Sequence, residues 1–434
     1  MKKNFLFLLF LYLCFVFLIS CEKTATNSTN NKDYTTELSE EVTDYLCSNS
    51  SCLDIQNNED FSSFSMLDSC LNDYDIFLTG EQHATQKNYP LKLKFIKYLN
   101  KKTNLRYYLD ENGYGASCLI NYYLSSGDET VLQKYMNTLK GTASYSRENY
   151  QFYKNMRTYH LSLPESKRVT FIGIDVEHQM DAAVFALYLL LPIDSENEPP
   201  YIQELKHLYT ELNNCDFKRE QYSNGWYDTI QSLACSLDTA IENHEQVYQQ
   251  YLGADFFHFN MIVENFPHTF LYYSTRDFSI REQTIYNNFL KVYEWLPDSI
   301  PKRFFGQWGG FHIYQVSSTN NRYGSQSFAT RLEKNDDVSV GGKILSLNSF
   351  YHNSHYLSTS GQTMSIDYGV MYSFFLSETA LGDVTLYNLM GKDSPFKTNN
   401  FLISSDLLAD NHPTTDYFQY AILVKNSPAV TCWE

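Results

Sequence analysis

The chain has 434 residues, 43% of them hydrophobic, and carries 33 basic against 50 acidic side chains for a formal net charge of −17. That length suffices for one large α/β domain with insertions or for two domains. An acidic surface repels phosphate backbones, and no basic cluster or glycine-rich phosphate loop interrupts the sequence, so nucleic acid is excluded as a partner. With 36 Tyr and 30 Phe the chain is rich in aromatic residues, which suits a Tyr-rich core and surface better than a ligand-stacking cleft.

The chain opens with Lys2 and Lys3, runs apolar without interruption over 5–19, and then reads Leu18-Ile19-Ser20-Cys21. Small Ser20 before a cysteine is the pattern of a lipoprotein signal peptide, residues 1–20, cleaved before Cys21. The apolar run is shorter than the roughly 20 residues a spanning helix needs. Lipid such as palmitate on Cys21 would hold the chain firmly to a membrane, because two or more acyl chains anchor where one does not. The expected location is therefore extracytoplasmic, in a bacterial cell envelope. Residues 21–40, rich in Thr, Asn and Ser, read as a flexible stalk, and residues 41–434 as an α/β domain. Losing residues 1–20 removes two lysines and no acid, taking the formal charge from −17 to −19.

Cys14 lies in the signal and Cys21 under lipid, leaving Cys47, Cys52, Cys70, Cys118, Cys215, Cys235 and Cys432. Seven cannot all pair; Cys47 with Cys52 and Cys215 with Cys235 are the nearest candidates in sequence. There is no CxxC and no Cys/His zinc spacing, and no cysteine sits where a nucleophile is expected.

Beyond the stalk, short apolar runs repeatedly deliver ionisable residues at their C-terminal ends. A strand over 75–79 leads to Gly80-Glu81-Gln82-His83, and a helix over 89–100 follows. A strand over 105–109 leads to Asp110-Glu111-Asn112-Gly113, and one over 169–174 to Asp175 and His178. A run over 269–273 precedes Arg276 and Asp277, and one over 302–305 leads through Gly306-Gln307-Trp308-Gly309-Gly310 to His312. From 181 to 296 the pattern is mostly helical, with helices expected over 182–191, 201–212, 226–251 and 280–295. The last strands are expected over 365–375 and 417–425.

Strands alternating with helices predict a central, mostly parallel sheet flanked by helices. Ligands bind at the carboxyl ends of such strands, where all five polar clusters fall, and the helical insertion over 181–296 should cap that edge. The strands holding Phe77, Tyr107 and Ile172 are expected to be neighbours. Each cluster has a bland reading: Gly-Glu-x-His as a surface turn, His312 as a core histidine, Asp175 and Asp277 as helix caps. His178, His258 and His268 carry no signal of their own. The joint arrangement points to a site.

As a set, Gly80-Glu81-x-His83, Glu111, Gly173-Ile174-Asp175, Arg281 with Asn287 or Asn288, Gly309-x-x-His312 and the ending over 417–425 resemble the erythromycin-esterase-like hydrolases. The wider superfamily includes ChaN-type haem-binding lipoproteins and Tiki-type metalloproteases. The resemblance runs from about residue 75 to 430. Esterase-type members usually have two residues between the glutamate and histidine of the first motif, where this chain has only Gln82. They also usually read His-Asn-x-His at the later site, where Gly309 and Gly310 stand here. Both departures lean toward the ChaN and Tiki forms.

Ester hydrolysis needs a base to activate water, a stabiliser for the oxyanion and a proton donor to the leaving alkoxide. The expected catalytic set is His83 or His312 as base, with Glu81 and Glu111 orienting the histidine or the water. Arg281 is expected on the substrate side, holding a carboxylate or polarising the reacting carbonyl, with Asp175 supporting it there. The substrate would be a small molecule bearing an ester or lactone. The same Glu81, His83, Glu111 and His312 suit a divalent metal whose bound water attacks, as in a Tiki-type peptidase. A haem-binding lipoprotein without catalysis is the third reading, which the ChaN resemblance allows.

Overall fold

Segments such as Ile76-Phe77-Leu78 and Ala421-Ile422-Leu423-Val424 are apolar without alternation, the pattern of parallel strands covered on both faces; every one of these side chains is buried. In the computed structural model, which describes residues 40–57, 59–193, 197–215, 225–335, 339–366, 370–403 and 412–433, they lie inside one large sheet. The expected signal peptide, Cys21 and the stalk up to residue 39 fall outside the described residues. The described residues belong to one compact unit, Ser39–Glu434.

The strands are β1 (Ser50–Cys52), β2 (Ile76–Glu81), β3 (Tyr107–Gly113), β4 (Thr170–Asp175), β5 (Phe304–Gly309), β6 (Ile344–His352), β7 (His355–Leu357), β8 (Thr363–Ser365), β9 (Val384–Asn388) and β10 (Tyr420–Lys425). Eight form a sheet in the order β1-β9-β10-β6-β2-β5-β3-β4, and β7 and β8 form a separate hairpin. From β10 to β4 all neighbours are parallel; β9 is antiparallel to both β10 and β1. This is the expected α/β architecture, a mostly parallel sheet with helices packed around it.

The topology locates a crevice. From β2 the chain moves toward β3 and β4; from β5, hydrogen-bonded beside β2, it moves the opposite way to β6. Where neighbouring strands send their connections in opposite directions, their carboxyl ends leave an opening for ligand. Glu81 ends β2 and Gly309 ends β5, paired in register. Insertion of β5 also corrects the expected neighbourhood: β3 and β4 are adjacent, but β5 separates β2 from β3.

Four of the five clusters do follow strands. The run over 269–273 instead lies in the helix Phe256–Thr275. Its aromatic, β-branched composition suggests a strand, but Phe259, Ile262, Val263, Phe266 and Phe270 are buried at helical spacing while Leu271 is exposed. That period of 3.6 decides the element. Asp277 caps the next helix, Phe278–Trp295, by accepting from Ser279 N. Likewise 365–375 is not one strand: β8 stops at Ser365 and the helix Val370–Glu378 follows, burying Ser373 and Leu376 three residues apart. The expected last strand is β10, but it does not close the sheet, since β9 and β1 lie beyond it. The cysteines from Cys47 to Cys432 are all free, so neither candidate disulfide forms; Cys52 Sγ packs toward Gly382 instead.

The segment after β10 straps the molecule. Gln86 N donates to Pro428 O, Val430 N to Ala84 O and Arg147 N to Thr431 O. Trp433 packs against Tyr145 and Tyr150. No helix among the described residues is long and apolar enough to cross a membrane.

Between Asp110 and Gly113 the β3–β4 register slips, a bulge that bends the strand end. The bulge presses the Asn112 and Gly113 carbonyls against Gly173, where an added Cβ would sit 2.6 and 2.2 Å from them. Both obstacles are backbone, so no rotamer change relieves them. Gly173→Ala is expected to destabilise the fold by about 1–3 kcal/mol or more, as overpacking against fixed structure does. Urea unfolding measures this, and wild-type stability in the variant would mean that the bulge is not where the structure has it.

Candidate functional site

The end of β2 is held rigidly. Gln82 N donates to the Tyr351 hydroxyl at 3.1 Å, Tyr351 donates to Asn88 Oδ1 at 2.7 Å, and Asn88 Nδ2 returns to Gln82 O at 2.6 Å. Ala84 then turns at φ 59°. This leaves His83 half exposed, with Nδ1 2.8 Å from Glu81 Oε1. Glu81 Oε2 in turn accepts from Gln307 Nε2 on β5, so the carboxylate that orients the imidazole is itself oriented.

From β3, Glu111 reaches the crevice beside the end of β5. Its Oε2 accepts from Gly309 N at 2.7 Å and lies 3.8 Å from His83 Nε2. Its Oε1 accepts from Arg281 Nη2 at 3.0 Å and lies 3.2 Å from His312 Nε2. One carboxylate therefore touches both predicted histidines. Gly309 sits among them, where a Cβ would be 3.3 Å from His83 Nε2, 3.6 Å from His312 and 3.7 Å from Glu111.

Arg281 comes from the helix Phe278–Trp295 and is bonded to Asp175 at the end of β4 by Nε at 3.0 Å and Nη2 at 2.5 Å. Asp175 is fully buried, and His178 Nε2 lies 3.3 Å from it while His178 Nδ1 pairs with the Tyr273 hydroxyl at 2.7 Å. Asp175 is thus sealed beneath Arg281, where it supports the guanidinium and does not itself reach the cleft. Arg281 borders the cleft, but much of its donor capacity goes to Asp175 and Glu111. Asn288 donates to Ile174 O at 3.0 Å and pins the helix to β4, while Asn287 faces outward, accepting from Gln283.

His312 is buried in the short helix after β5, between Glu111 and Glu282. Glu282 Oε1 lies 2.7 Å from His312 Nδ1, yet neither group has an aligned hydrogen-bond partner, so the attraction is one of charge. Glu282 was not among the residues expected from sequence. Its signal was positional: the buried stripe Ile285, Phe289, Val292 of this helix extends back one turn onto Arg281 and Glu282, polar residues on an inward face.

The charges interlock. Burial pulls the His312 imidazolium down, but Glu282 and Glu111 overcome it and push its pKa up to about 10. Burial likewise opposes charge on Glu111, but His312, His83 and Arg281 hold its carboxyl well below the usual range. Asp175 is lowered against its burial by Arg281 and His178. For His83 desolvation lowers the pKa, and Glu111 together with the Glu81 hydrogen bond more than reverses that, leaving it raised.

Glu81, His83, Glu111, Arg281 and His178 border a cleft of about 460 Å³ that continues past Asp110, Gln307, Gln179 and Tyr89. His258, stacked near Tyr114 and Trp295, and His268, in a separate groove with Glu264, are remote from these residues.

The expected metal set does not fit an ion in this arrangement. Glu111 already accepts from a guanidinium and a backbone N–H, and a fixed positive charge 3.0 Å from a ligand oxygen opposes a divalent cation. Among the described residues no group of three or more His, Cys, Asp or Glu is arranged to hold a metal. Nor does the cleft, with Lys92, Asp110, Asn112 and Asn149 along it, offer the apolar walls that a haem macrocycle needs.

No family model matches the chain, and no curated protein matches it in sequence. Solved structures do. A Bacillus cereus protein superposes with a TM-score of 0.62 at 13% identity, covering 92% of this chain and all of its own. A succinoglycan biosynthesis protein gives a TM-score of 0.63 at 13% identity over 93% of this chain and 100% of that one. An erythromycin esterase variant in its open conformation gives a TM-score of 0.60 at 13% identity, over 88% of this chain and 98% of the esterase. The likeness, one of fold and nearly end to end, places this chain in the architecture that the erythromycin esterase adopts.

Proposed function

We propose that the chain is a membrane-anchored hydrolase of ester or lactone bonds in which His83 activates the attacking water. The observation that carries this is the Glu81–His83 pair at the open end of the crevice. Glu81 accepts a hydrogen bond from Nδ1–H and so leaves the Nε2 lone pair for water. Water adds to the acyl carbon as its proton passes to Nε2; the tetrahedral intermediate then expels the alkoxide, which takes that proton and leaves as the alcohol, with the acid as the other product. His312 is unsuited to be the base, because between two carboxylates it stays an imidazolium. Together with Arg281 it holds Glu111 in place beside the crevice. The fold shared with a structure named an erythromycin esterase supports the reaction class. The purified domain lacking residues 1–21, assayed on ester and lactone panels with and without chelator, tests the reading; no turnover of any ester overturns it.

His83→Ala should lower kcat/KM by about a hundredfold or more, as loss of a general base does, with little change in Tm because the ring is half exposed. The raised pKa of His83 means that its basic form fills only as pH rises through a value above 6.5. The acid limb of the rate profile should lie there, and Glu81→Gln should move it to lower pH while reducing kcat. A limb that stays in place would show that some other group is titrating.

His312 supplies the second pH signature. Its folded pKa of about 10 stands above the ordinary 6.5. The stability it contributes is thus fully present below pH 6.5 and is lost as pH rises toward 10. Wild-type unfolding free energy should fall across that window, and His312→Gln should be flat there while less stable at neutral pH by about 3–5 kcal/mol, the cost of leaving buried acids unpaired. Denaturation at a series of pH values checks both.

The anchor is proposed on sequence alone. Cys21→Ser should abolish incorporation of a fatty-acid analogue, and labelling of that variant would refute lipidation at this residue.

A further inference from the structure

The part of the cleft beyond His83 is built from acceptors that have no donor. Asp110 Oδ2, Gln307 Oε1 and Gln179 Oε1 each lack a hydrogen-bond partner, and all three residues are more than nine-tenths buried. All three border the same cleft. Buried acceptors left empty are costly, so three along one cleft point to a ligand that brings donors. The orientation of Gln307 is not arbitrary: its amide nitrogen donates to Glu81 Oε2 and to Asn88 O, which fixes the carbonyl end as the unpaired one. Leu109 pairs with Gly306 in the β3–β5 register, which puts Asp110 and Gln307 side by side on neighbouring strands. Half-buried Tyr89, Tyr227 and Tyr273 border the cleft as well, giving single ring faces of the size of one small ring.

We propose that this cleft binds a neutral polyhydroxylated ring, a glycosyl or polyol part of the substrate, with adjacent hydroxyls donating to Asp110 Oδ2 and Gln307 Oε1 and a further one to Gln179 Oε1. Hydroxyls match the site because each donates one hydrogen bond and accepts others, and the Lys92 ammonium beside Asp110 can donate back to them. A neutral ligand is indicated by the chain's own charge of −17, which repels polyanions. The proposal rests on the hydrolase reading only in naming the ring as part of a substrate; the subsite itself stands on the unpaired acceptors.

The test uses the His83→Ala protein, so that nothing is consumed, and titrates it calorimetrically with neutral gluco-, galacto- and manno-oligosaccharides and with myo-inositol. At least one probe should bind, with affinity reduced tenfold or more by adding Asp110→Asn, and also reduced by Gln179→Met. The Tm of Gln179→Met without ligand should match its parent or exceed it, because the replaced Oε1 has no partner to lose, whereas Asp110→Asn also gives up the charge that Lys92 faces. Absence of binding across the panel, binding indifferent to both substitutions, or a lowered Tm in Gln179→Met overturns the subsite. Turnover of a sugar-free aryl acetate by the wild-type protein is measured beside it. Turnover without sugar binding sinks this inference and leaves the hydrolase; sugar binding that depends on Asp110, without turnover of any ester, supports the subsite and sinks the hydrolase.

Discussion

The arrangement of the site depends on one carboxylate. Glu111 spans the gap between β3 and β5, takes the Gly309 N–H on one oxygen and the Arg281 guanidinium on the other, and stands between His83 and His312. Strand, helix and short helical turn are all referenced to it. Alternation from Tyr107, which packs on Phe304 beneath the helix that carries Arg281, puts Glu111 on that helix's face, and the missing side chain of Gly309 makes the room.

Burying so much charge is expensive, and the molecule manages it by setting each cation between carboxylates. Asp175 answers Arg281, Glu282 answers His312, and Glu111 answers both cations. A buried network of this kind adds little net stability, since desolvation offsets most of the attraction. What it provides is a fixed geometry: Glu111, His312 and Arg281 are each held from two directions. Only His83, on the rim, is left with freedom enough to exchange protons with solvent.

Much of this was legible in the sequence because parallel strands announce themselves twice, by an unbroken apolar run and by the polar residues released where the run stops. Glu81, His83, Glu111, Asp175 and His312 were found that way, and they do converge. Position in the sheet was less legible. Nothing local in Phe304-Phe305-Gly306-Gln307 says that β5 slips between β2 and β3, since that is settled by long-range packing. Thr269 to Tyr273 misled because composition suggested a strand while the burial period was helical. The strands β1 and β9 escaped because they are short, and β6 because Ser346, Asn348 and Ser349 break its apolar run, although His352 and His355 mark its end. Glu282 was missed because a helical acid reads as solvent-facing unless the stripe it extends is followed back a full turn.

The strap formed by residues 428–433 has a consequence for how the protein comes into being. It is bonded to Ala84, the residue after His83, and to Arg147 at the start of the helix Arg147–Ser162, yet it lies more than three hundred residues downstream of the first of these. Contacts so distant along the chain form late, because the closure entropy of everything between must be met first. The turn that carries His83 is therefore expected to become ordered only after β10 and the strap behind it have reached the sheet.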